Sequence, residues 1–88
     1  MKTTKVLNGR YVVSGEWFHA NIVRGPYYGS DQWHCEIRRR STGEMVREAG
    51  LWSRKCDAIE EAMSIIPRLD GLHIPTPEEQ FAKENGVL

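Results

Sequence analysis

Long apolar runs are missing from this chain of 88 residues. No stretch approaches the roughly 20 apolar residues that a bilayer crossing needs. Met1 to Lys5 leads only into Val6 and Leu7 before Asn8-Gly9, so no signal-peptide apolar region is expected. Cysteine is scarce as well. Cys35 and Cys56 are too few for a disulfide scaffold, and three histidines do not complete a metal-ligand spacing. That usage predicts reduced thiols and a cytoplasmic location. No Cys-x-x-Cys, His-Glu-x-x-His, Walker loop or Gly-x-Ser-x-Gly occurs, nor any repeat or low-complexity tract. Net charge is missing too, since 12 Lys+Arg balance 12 Asp+Glu, which argues against bulk polyanion binding. The balance conceals a segregation. Residues 1–56 hold 10 basic and 5 acidic groups, whereas residues 57–88 hold 2 basic and 7 acidic.

What is present is ordinary globular material, 40% apolar and 27% charged, with room for one domain. Residues 1–72 read as a sheet-plus-helix binding domain and residues 73–88 as a short helical extension of it. Asn8-Gly9, between two strand-like runs, predicts a tight hairpin, because both turn positions favour positive φ. Ser14-Gly15 then bends the chain into a strand over Trp17 to Val23, and Gly25 to Asp31 is a loop. Trp33 to Arg40 forms the next strand, turning at Ser41-Thr42-Gly43. Glu44 to Leu51 returns antiparallel with an irregularity at Ala49-Gly50.

Ser53 is the expected N-cap of a helix from Arg54 to Ile66. Cys56, Ile59, Ala62, Met63 and Ile66 share its apolar face. Pro67 should end or kink it, because proline lacks the amide that another turn requires. Asp70-Gly71 reads as a turn. Thr76, Pro77 and Glu79 form a capping box with proline at the first position of a second, shorter helix, which Asn85-Gly86 stops. The expected fold class is α+β: an antiparallel sheet of three main strands with a short N-terminal hairpin arm, one covering helix and a short C-terminal helix. Strict alternation puts Phe18, Ala20, Ile22, Trp33, Cys35, Ile37 and Val46 under the helix. It puts Trp17, His19, His34, Glu36, Arg38, Arg40, Met45 and Arg47 on an open face that is aromatic and basic.

Arg24-Gly25 stands ahead of Trp33-His34-Cys35-Glu36-Ile37-Arg38. Gly43, then Ala49-Gly50-Leu51-Trp52, then Ala58 and Glu61-Ala62 follow. In this pattern residues 24–63 resemble the three-strand-plus-helix DNA-binding domains of the AP2 type, and Thr42-Gly43-Glu44 is similar to the turn in phage integrase arm-binding domains. The resemblance implies a sheet inserted into the DNA major groove, with contacts at Arg24, Glu36, Arg38 and Arg47. There Arg can pair with guanine and Glu can accept from cytosine.

Arg38 and Arg40, joined by Arg24 and Arg47, would give salt-dependent phosphate contacts; as a solvated edge, they would only discourage strand-to-strand association. Trp17, Tyr27 and Tyr28 could stack on bases or anchor a protein partner, or fold back on the core. Trp33 and Trp52 read as core. No nucleophile–base pair emerges, so neither an enzyme nor a cofactor or metal is expected. The expectation is a non-enzymatic module that engages DNA or a nucleoprotein through its open face. Its rival is a small phage or mobile-element protein, anti-CRISPR-like, that binds and inhibits a host protein.

Overall fold

The Asn8-Gly9 pair sets the first element. Gly9 takes φ 80 and joins β1 (Lys2–Leu7) to β2 (Arg10–Ser14) in an antiparallel hairpin. β3 (Phe18–Arg24), β4 (Trp33–Arg39) and β5 (Met45–Trp52) continue it. A computed structural model of the chain describes residues 2–25 and 32–88. The fold is α+β, with one open antiparallel sheet in the order β1-β2-β3-β4-β5 and two helices, α1 (Lys55–Leu72) and α2 (Pro77–Glu84). The expected three main strands become five, because β2 pairs with β3 along its whole length from Arg10↔Val23 to Ser14↔His19. The hairpin extends the sheet instead of standing apart as an arm.

Register slips occur only in pairs that involve the two outer strands. β1 slips between Lys5 and Leu7 against β2. β5 slips twice against β4, at His34/Cys35 and at Ile37/Arg38. The first β5 slip absorbs Gly50, at φ 33, which is the irregularity expected there. The second sets Arg47 opposite Ile37 and Met45 opposite Arg38. Parity therefore changes along β5, and Val46 is exposed instead of lying under the helix.

α1 covers one face. Ala58, Ala62, Ile65 and Ile66 bury against Val13, Phe18, Ala20, Ile22, Cys35 and Ile37. Apolar positions three and four residues apart make this stripe, and the two alanines let the helix sit close to the sheet. The expected face is rotated, since Cys56 and Met63 are exposed. Pro67 lies inside the helix and does not end it; it forfeits one intrahelical bond while packing holds the rest. Ser53 is not the cap. Arg54 is, without a side-chain cap bond, and its guanidinium instead grips Asp57 twice at 3.1 Å.

The extra helical turn has a purpose in the packing. Asp70, expected in a turn, accepts the amides of Glu16 and Trp17 at 2.8 and 2.9 Å and so closes the β2–β3 connection against the helix. Gly15 is required at that crossing, because a Cβ there would collide with Ile66 Cγ2 and Asp70 Oδ2.

α2 forms as expected. Thr76 and Glu79 exchange a complete capping box, Pro77 occupies the first turn and Asn85 caps the end. It packs on its own chain, through His73, Ser41 and Glu16. Among the described residues, no helix is long and apolar enough to cross a membrane.

Candidate nucleic-acid interface

The face of the sheet opposite α1 carries less positive charge than alternation suggested. Arg38 is there, with Nη1 donating to the Gly43 carbonyl at 2.8 Å and Nη2 at 3.6 Å from Glu36. His34 is buried on the same face, with Nε2 3.8 Å from Glu36 and 3.5 Å from Glu48. His19, directly across from Arg38, has its pKa lowered by burial and by the charges of Arg40 and Arg38. This surface is of mixed charge.

Four of the expected contact residues lie elsewhere. Trp17 is buried, only 6% exposed, and precedes β3 instead of alternating within it. Its ring meets His73 at 5.7 Å, with Lys83 Nζ 4.8 Å above it. Arg40 is committed to main-chain carbonyls, donating to Gly15, Glu16 and Leu88 at 2.8, 3.2 and 3.1 Å. A guanidinium that holds three chain segments together is not free for phosphate. Arg47 is exposed but shares the parity of Ile37, on the helix side, because of the slip in β5. Arg24 pairs across from Trp33, also on the helix side. Tyr27 and Tyr28 lie outside the described residues. Cys35 is buried, its thiol pushed up to about 11 by burial and by Glu61 and Glu36. Cys56 is exposed on α1, off the apolar face on which its spacing placed it.

The strands bring a different set together at one end of the sheet. The end of β1, the start of β2, the end of β3, the start of β4 and the N-terminus of α1 all meet there. Tyr11, opposite both Lys5 and Ile22, lies on the helix side, where its ring meets that of Trp33 at 6.0 Å and a 55° tilt. Lys55, in the first turn of α1, donates to the Tyr11 hydroxyl at 3.0 Å, with Nζ 4.5 Å from the ring centre. Arg24 lies over Trp33 at 5.8 Å. The hydrogen bond from Lys55 lowers the Tyr11 pKa, and the charges of Lys55 and Lys5 add to it.

Two half-buried aromatic rings are thus flanked by Lys5, Arg24 and Lys55. Among the described residues, none of these three cations forms an ion pair. The positive end of the α1 dipole points the same way. The opposite end of the sheet gathers Glu16, Glu44, Asp70, Glu78 and Glu79 around the two turns and α2. That end is of mixed charge, since Arg38, Arg40 and Lys83 lie there too. Comparison with protein-family models, curated proteins and solved structures returns no match.

Sequence reasoning placed Trp33 in the core and passed over Lys5, Tyr11 and Lys55. A two-residue turn at Asn8-Gly9 would by itself pair Lys5 with Val12; the slip at Val6 sets Lys5 opposite Tyr11 instead, and no local signal announces it. Nothing local in sequence brings Lys55 to Tyr11, because 44 residues separate them.

Proposed function

We propose that the chain is a non-enzymatic binding module for nucleic acid, with the cationic, aromatic end of the sheet as its contact surface. One observation carries this reading: Lys5, Arg24 and Lys55 flank the Tyr11–Trp33 pair, and among the described residues none of them has a carboxylate partner. Unneutralised cations beside ring faces suit a phosphate backbone with bases alongside. Arg38 and Glu36, which the resemblance to AP2-type domains implies as contacts, lie on the opposite face of the sheet and outside this surface. A host protein as partner, the rival reading, draws its support from the mixed charge around His34, Glu36 and Glu48.

Fluorescence anisotropy with a duplex and a single-stranded oligonucleotide tests the proposal. With about three phosphates neutralised, raising salt from about 50 to about 200 mM weakens duplex binding roughly 40-fold. Lys5→Ala combined with Lys55→Ala reduces the log–log salt slope by about 2. Absence of binding at low salt, or a slope that the double variant leaves unchanged, refutes the assignment. Quenching of tryptophan emission that Trp33→Phe removes reports whether a base reaches the ring.

A further inference from the structure

We propose that the outward face of α2, with Leu72 and Ile74 ahead of it, docks a partner protein whose apolar groove is edged by Lys or Arg. This surface lies at the opposite end of the sheet from the cationic end and does not depend on the nucleic-acid reading. Its basis is an inversion. A surface helix ordinarily buries its apolar stripe and shows its polar one. α2 buries Glu79, 4% exposed, and turns Phe81 out at 67%.

The attachments of α2 are polar. Glu79 bonds to His73 and Ser41, and Lys83 pairs with Glu16. Leu72, Ile74 and Val87 are also mostly exposed, at 82%, 87% and 74%. Leu72, Ile74, Phe81 and Val87 therefore stand in water while Glu79 and Lys83 fasten the helix. The capping box fixes α2 before any partner arrives, which lowers the ordering cost of docking by this face.

Charge selects the occupant. Glu78 and Glu84, both exposed, lie three residues to either side of Phe81 and so on the same stripe. Lys83, the nearest base in sequence, is taken by Glu16. In an antiparallel pairing of two copies through α2, the acidic groups of one helix would meet those of the other. A basic groove turns that repulsion into attraction, and a helix laid in an apolar groove is a recurrent recognition mode.

The test is an amide chemical-shift titration of the full chain with a designed two-helix peptide whose inter-helix groove is lined by Leu and edged by Lys. A Leu/Glu peptide and a Ser/Lys peptide serve as comparisons. The Leu/Lys peptide is expected to give saturable shifts confined to residues 72–88. Phe81→Ser and Glu78→Lys/Glu84→Lys should each weaken binding about tenfold or more, while Lys5→Ala leaves it unchanged. Because Phe81 is exposed, its replacement should leave the remaining spectrum intact, which separates loss of docking from loss of fold. Three results overturn the proposal: equal binding of either comparison peptide, shifts centred away from α2, or unaltered binding by the Phe81 variant. Wild-type self-association that Phe81→Ser abolishes, read by sedimentation, also overturns it, in favour of a second copy.

Discussion

Helix α1 lies on the sheet through Ala58, Ala62, Ile65 and Ile66, all buried, whereas α2 is fastened by Glu79 and Lys83 while Phe81 faces water. The first attachment is apolar burial, which responds little to pH or salt. The second is a set of hydrogen bonds and ion pairs, which responds to both. α1 and the sheet are therefore expected to form one cooperative unit, with α2 able to loosen before that unit unfolds.

The largest effect expected is at the apolar attachment. Ile66→Ala removes a fully buried side chain and should cost about 2–5 kcal/mol in urea unfolding. Next comes Gly15→Ala, which forces a methyl group against Ile66 and Asp70; overpacking there should cost about 1–3 kcal/mol. A cost near zero for either would mean that α1 is held some other way.

The polar attachment is sharpened by acid. Burial alone would push the Glu79 carboxyl up, but the Thr76 amide, His73 and the Ser41 hydroxyl hold it below its ordinary range. Its contribution is therefore full above the ordinary glutamate pKa and fades as pH falls through the lower folded value. Amide exchange should show α2 losing protection in that window while α1 keeps it, and simultaneous loss would erase the distinction between the helices. Glu79→Gln should weaken α2 by about 1 kcal/mol through the capping box at neutral pH. The smallest effect is at Phe81. Phe81→Ser should change global stability by no more than about 0.5 kcal/mol, and a larger loss would show that the exposed ring packs within the molecule.

Features governed by neighbouring residues were legible in the sequence. Asn8-Gly9 specified its hairpin, Ala49-Gly50 its irregularity, and Thr76 with Pro77 and Glu79 the start of α2. The α+β class followed from the same local signals. Much of the candidate site did not, for reasons that are physical. Alternation assigns faces only while the pairing stays in step, and the slip at Ile37/Arg38 moved Arg47 to the other face. Trp17 lies before its strand begins, so strand parity did not apply to it. Arg40 read as a surface cation because its three carbonyl acceptors come from distant segments. Pro67 was expected to break a helix that tertiary packing carries through. Lys55 reaches Tyr11 only because α1 starts over that corner of the sheet.

The slips at the two outer strands also bear on how the molecule behaves in a crowd. An open sheet with two straight rims is a template onto which further chains can add, each new rim as inviting as the last. Here Val6 interrupts one rim between Lys5 and Leu7, while Val46 and Gly50 interrupt the other. The amide ladder that an incoming strand would copy is out of step on both sides. Regular addition of strands is thus limited to short stretches of each rim, which hinders growth of the sheet into a ribbon.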